Sequence, residues 1–130
     1  MKYKIILVAS TILLIICVPL CIQVTGQNKF NALKNHYKSE IERHLPQGSS
    51  IEQVMEFLKD KDGKFGLYSD EPYPSTHHSE FNVKNLIIFT SNERIVNLRV
   101  LTLHSTLQII FLFDDNNKLK GVVYRGIDRV

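Results

Sequence analysis

The pattern of hydrophobic and polar positions changes character three times along this chain. From Ile5 to Val24 no side chain is charged, and only Ser10, Thr11 and Gln23 are clearly polar. A helix rises about 1.5 Å per residue, so this stretch spans roughly 30 Å, the thickness of a bilayer's hydrocarbon core. It has no polar face and so does not read as a surface helix. Over Gln27–His44 the pattern becomes amphipathic. Phe30, Leu33, Tyr37, Ile41 and Leu45 recur at spacings of three and four, leaving Lys29, Lys34, Lys38, Glu40 and Arg43 mostly toward water. Pro46 and Gly48 end that helix. A second one starts at Ser49 or Ser50, since Ser49…Glu52 and Ser50…Gln53 both have capping-box spacing. Ile51, Val54, Met55, Phe57 and Leu58 form its apolar face, and Gly63 stops it.

Beyond Gly63 the period shortens to that of strands. Residues 63–82 read as a long connection broken by Gly63, Gly66, Pro72 and Pro74, with Phe65–Tyr68 as a short strand inside it. Val83–Thr90 is apolar enough for a buried strand. Ile95–Leu103 fits a bent strand or an irregular return. In Thr106–Phe113 the residues Leu107, Ile109, Phe111 and Phe113 alternate onto one face. Asp114–Asn117 supplies turn residues, and Leu119–Arg125 returns to close a hairpin. The predicted fold class is α+β: an N-terminal transmembrane or signal helix, then two helices packed on a three- to four-stranded antiparallel sheet.

Two units follow: residues 1–26 as anchor or signal segment and 27–130 as one small exported domain. The length of the apolar stretch favours a retained anchor over a cleaved signal, whose apolar region is about 7–15 residues. Val24-Thr25-Gly26 nonetheless allows a secreted form cut near Gly26. Lipidation at Cys21 is disfavoured because Leu20, not a small residue, precedes it. Lys2 and Lys4 favour a cytoplasmic tail, against Lys29, Lys34 and Lys38 beyond the other end; the expected form is a single-pass protein with its C-terminal part periplasmic or extracellular.

Charge narrows the partners. Without the first 26 residues the chain keeps 14 basic and 13 acidic side chains, leaving no basic stripe to mark a nucleic-acid binder. Both cysteines, Cys17 and Cys21, lie in the apolar stretch, so the domain holds together without disulfides.

Candidate chemistry is sparse. His77 and His78 with Glu80 read as a solvated loop, because no second pair supplies the remaining ligands of a zinc site. His36 and His44 are two helical turns apart, about 12 Å, too far for one ion. Asp114–Asn117 fails as a calcium loop, since Lys118, Leu119 and Arg125 stand where an oxygen ligand, a glycine and a glutamate are needed. No nucleophile elbow, phosphate-cradling glycine loop or His-Glu-x-x-His occurs. The chain therefore reads as non-catalytic, with no catalytic, metal or cofactor residue to assign and no cofactor expected. Tyr68, Tyr73, Pro74 and His77 are the candidate partner contacts, because aromatic side chains on a connecting loop anchor partners.

Leu45-Pro46-Gln47-Gly48-Ser49-Ser50 leading into Ile51-Glu52-Gln53-Val54, with Phe111-Leu112-Phe113-Asp114 and Lys118-Leu119 further on, resembles small exported domains of the BamE type. The resemblance covers about residues 45–125. It implies two helices on a three-stranded antiparallel sheet and a scaffolding role among envelope proteins, and it transfers no partner-binding residue. The expected partners are the bilayer and another envelope protein. An inhibitor or immunity protein against an exported toxin or hydrolase is the alternative function, and a small hydrolase using the histidine loop the more distant one.

Overall fold

A computed structural model of the chain describes residues 2–69, 76–96 and 104–129. The apolar stretch and the amphipathic stretch form one helix, α1 (Lys2–His44), unbroken across residues 24–27. At about 1.5 Å per residue it is some 64 Å long. Pro19 lies inside it, where one backbone hydrogen bond is lost. The N-terminal half stands clear of the rest of the molecule, and none of its most apolar window is buried. By length and composition it can cross a membrane.

The C-terminal half of α1 belongs to the domain. Tyr37, Ile41 and Leu45 are buried, and Phe30 and Leu33 pack against the same core, as their spacing predicts. Glu40 departs from the expected solvent face. It is half-buried because Lys61, 21 residues later, reaches its carboxylate at 2.5 Å. A short turn leads to α2 (Ile51–Lys59). Ser50 rather than Ser49 is its cap: the Ser50 hydroxyl accepts from the Gln53 N–H, and the Gln53 side chain accepts from the Ser50 N–H. The Ser49 hydroxyl instead donates to the Pro46 carbonyl at 2.6 Å. Ile51, Val54 and Leu58 are the buried face.

The connection expected over 63–82 proves to be partly regular. Gly63–Ser69 is a full strand, β1, and Thr76–Phe81 is a short helix, α3. β1 extends the short strand expected over Phe65–Tyr68 at both ends, whereas no run of periodic residues announces α3; tertiary contacts and not local propensity support these additions. β2 (Asn85–Ser91) pairs antiparallel with β1 and with β4 (His104–Phe113), and β4 pairs with β5 (Leu119–Arg129). The main sheet is thus four antiparallel strands in the order β1-β2-β4-β5. The two-residue β3 (Ile95–Val96) continues along the β2 side of β4, opposite Ser105 and His104. It accounts for the start of the ambiguous Ile95–Leu103 stretch; residues 97–103 lie outside the described part.

The β4–β5 turn is built as its residues predict. Asp114 Oδ1 accepts from the N–H groups of Asn116 and Lys118, both at 2.9 Å, and Asn117 takes the left-handed conformation at φ 58°. Phe89, Phe111, Phe113, Ile87, Leu107 and Ile109 are fully or almost fully buried and meet the helices on one sheet face. Burial of side chains of this size contributes about 1.5–3 kcal/mol each. The helices are not all on that face. Arg125 of β5 points to the opposite side, where it pairs with Glu80 of α3 at 3.4 Å and lies 5.4 Å over the Phe81 ring. α3 therefore packs on the second face.

The contacts along α1 fix its direction. Phe30 abuts Gly126, and Gly26 shares a cleft with Ile95, Ser105 and Asp128, whereas Leu45 lies beside Leu119 and Val122. The helix therefore runs antiparallel to β5, with its axis along the strands. One end of the sheet, carrying β3 and the start of β4, sits beside the end of the apolar stretch. The other end carries the Asp114–Asn117 turn and lies about 30 Å away, the rise of α1 from Gly26 to Leu45.

Candidate interaction surface

Among the described residues of the domain, the large apolar side chains left exposed all lie on strand β1. Among the described residues it pairs with β2 alone, so one row of its backbone N–H and C=O groups has no partner strand. Phe65 lies opposite Phe89 and Leu67 opposite Ile87, which puts both on the helix-bearing face at its rim. They are 36% and 47% exposed, whereas their β2 neighbours are fully buried. Tyr68 faces the other side, opposite Leu86, and is also 47% exposed. Lys64, Gly66 and Tyr68 border a groove of about 360 Å³ on that second face, floored by Ile88, Thr90 and Gln108.

The opposite edge strand is defended in the way edge strands commonly are. β5 alternates charged Lys120, Arg125 and Asp128 with glycines, features that discourage pairing with another chain. β1 carries one charge, Lys64, beside three large apolar or aromatic side chains. The asymmetry singles out β1.

Its position is held firmly. At its start Asp62 accepts from Asn92 through both backbone and side chain, at 3.1 and 2.8 Å. Gly63 lies so close to the Phe89 ring and the Thr90 carbonyl that a Cβ there would stand 2.4 and 2.5 Å away. Lys61, two residues before the strand, is clamped between the Glu40 carboxylate and the Phe57 ring, 4.6 Å from its centroid. The Lys61 hydrogen bond and charge hold the Glu40 carboxyl below its ordinary value.

Of the sequence-predicted contacts, only Tyr68 has a described side chain. Tyr68 lies in the strand expected over Phe65–Tyr68, which extends to Gly63–Ser69, and not in an open part of the connection. His77 falls within α3, and its side chain is outside the described residues, as are Tyr73 and Pro74 altogether. Phe65 and Leu67 were recognisable as strand formers, but their exposure depends on which strand ends the sheet, and no local signal carries that. His36 lies 4.0 Å from Glu40 one turn along α1, and the His44 ring sits 6.2 Å from that of Phe57 on α2, so the two face different neighbours. Among the described residues no three His, Cys, Asp or Glu side chains cluster as metal ligands.

A cleft between α1 and β5 lies on the helix side. It holds about 260 Å³ beside Lys38, Glu42 and Tyr124. Burial, with the Glu42 charge adding to it, pushes the Tyr124 phenol up to about 12, so it stays neutral and is a poor general base. In comparisons with protein families, curated proteins and solved structures, nothing matches this chain.

Proposed function

We propose that this is a single-pass, membrane-anchored, non-catalytic domain that binds an extended segment of another envelope protein by adding it as a strand alongside β1. The observation that carries the reading is the coincidence, on one strand, of an unshared backbone edge with exposed Phe65, Leu67 and Tyr68. Backbone hydrogen bonds give such a complex its affinity, and alternate side chains give its specificity. The BamE-type resemblance points toward the same scaffolding role. The helix running unbroken through Val24-Thr25-Gly26-Gln27 favours retention of the anchor over a cut at Gln27. Lys2 and Lys4 favour a cytoplasmic tail with the domain outside.

A second copy in the same membrane is a poor occupant of this edge. Two β1 strands paired antiparallel are related by a two-fold axis perpendicular to the sheet. α1 lies along the sheet, so that axis would lie in the plane of the membrane and turn the second anchor away from it. A segment from a different protein has no such constraint.

The test is site-specific photocrosslinking in native membranes, with the full chain carrying a photoreactive residue at Leu67 or at Lys120 on the opposite edge. A discrete adduct from position 67, absent from position 120 and lost in a Phe65→Lys background, is expected. Equal labelling from both edges, or none from 67, overturns the reading. The identity of the captured chain separates a scaffolded envelope protein from a toxin or hydrolase held by an inhibitor.

A further inference from the structure

Where the domain meets the end of the apolar helix there is a cleft of about 350 Å³ with two different walls. One wall is α1, contributing Cys21 and Ile22 from the apolar stretch and Lys29 just beyond it. The other is the turn between β2 and β3, contributing Glu93 and Arg94. We propose that this cleft holds the phosphate of a glycerophospholipid from the leaflet facing the domain, so that the domain stands on the membrane and is not merely tethered to it. The inference rests on the membrane-anchored reading above.

Depth supports this occupant. With Ile5–Val24 filling the hydrocarbon layer, Lys29 lies five residues, or about 7.5 Å, past its boundary, within the headgroup layer. Arg94 lines the same cleft and so reaches the same level, although 65 residues separate it from Lys29 in the chain. Charge supports it as well. Among the described residues no carboxylate forms an ion pair with Lys29 or with Arg94. Two cations and the single carboxylate of Glu93 leave one net positive charge, matching the one negative charge of a phosphodiester. Arginine and lysine are the usual partners of phosphate oxygens. The apolar side of the cleft at Cys21 and Ile22 continues into the exposed apolar face of α1, which gives the acyl chains of the same lipid a path into the bilayer.

The direction of the helix makes this geometry more than a local coincidence. Because α1 runs along the strands, the β3 end of the sheet is the end that faces the membrane, and the β1 edge stands upright beside it. A lipid phosphate gripped from both walls would stop the domain from swinging about α1 and hold that edge at a constant height.

The experiment uses the full chain in neutral-detergent micelles, titrated with phosphatidylglycerol or with diacylglycerol of the same acyl chains, and reads bound lipid by native mass spectrometry. One saturable phosphatidylglycerol adduct is expected, with none from diacylglycerol. Lys29→Gln and Arg94→Gln each weaken it about fivefold, the contribution of one cation near an anionic lipid surface. Lys29→Arg and Arg94→Lys restore it. Lys84→Gln, an equal charge change beside the turn at the far end of the sheet, leaves it unchanged. Equal binding of both lipids, or equal losses from all three glutamine variants, overturns the proposal. Alkaline carbonate extraction of native membranes keeps the two readings apart. A chain released by carbonate overturns the anchored reading itself. A chain retained there but without preference for the phosphate-bearing lipid overturns the phosphate site alone.

Discussion

Replacing Glu40 by glutamine removes one charge from the clamp that joins α1 to the approach of β1, and its consequence can be worked out from the contact. Lys61 reaches the carboxylate at 2.5 Å, with the two side chains 21% and 29% exposed. Exposed pairs contribute about 0.2–1 kcal/mol, and breaking a fully buried pair costs about 3–5 kcal/mol. This pair lies between those limits but nearer the wet one, so its coupling is about 1 kcal/mol at pH 7. A double-mutant cycle of Glu40→Gln and Lys61→Met isolates that coupling from the Lys61–Phe57 contact, which Lys61→Met also loses. The hydrogen bond and charge of Lys61 lower the Glu40 pKa on folding from its ordinary 4.5. The stabilisation is therefore complete above the unfolded-state value and fades as pH falls through the lower folded-state value. Urea unfolding of the full chain in micelles, followed by circular dichroism with all variants at one m-value, supplies the four stabilities. A coupling below about 0.3 kcal/mol at pH 7, or one unchanged on titration to about pH 2, would refute the assignment of this pair as the clamp.

Three further outcomes are expected. Ser50→Ala lowers stability by about 1 kcal/mol through loss of the α2 cap, whereas Ser49→Ala leaves the capping box intact; hydrogen exchange at the Gln53 amide distinguishes them. Phe89→Ala, at a fully buried side chain whose ring lies 5.4 Å from that of Tyr37, costs about 3–5 kcal/mol in urea unfolding; a loss below about 1 kcal/mol would mean the core is not packed as described. In a spectrophotometric titration a tyrosine step at about 12 vanishes in Tyr124→Phe. Because that pKa is raised on folding, its contribution to stability is whole below the unfolded-state value of about 10 and is lost as pH rises through 12.

The amphipathic spacing of Phe30, Leu33, Tyr37 and Ile41, the Ser50–Gln53 cap and the Asp114–Asn117 turn were all legible because each depends on residues within one or two turns of one another. The alternation of Leu107, Ile109, Phe111 and Phe113 named the buried face of β4 for the same reason. β1 and α3 were not legible as a full strand and a helix. Gly63 and Gly66 weaken the strand signal of β1, and six residues are too few for α3 to show a period. Their order comes from partners elsewhere: β2 for β1, and Arg125 of β5 for α3.

The sequence by itself determined that this chain has a bilayer-length apolar opening, an α+β domain behind it and no recognisable catalytic motif, since these follow from composition and short-range periodicity. The structure alone decided that the apolar segment and the domain share one continuous helix, because continuity across Val24–Gln27 could not be read from two adjacent patterns of different kind. It also decided that β1 rather than β5 is the exposed apolar edge, and that Lys29 and Arg94 face one cleft. Strand order and cross-chain proximity arise from contacts between residues tens of positions apart, where the energy of packing the whole core outweighs any local preference.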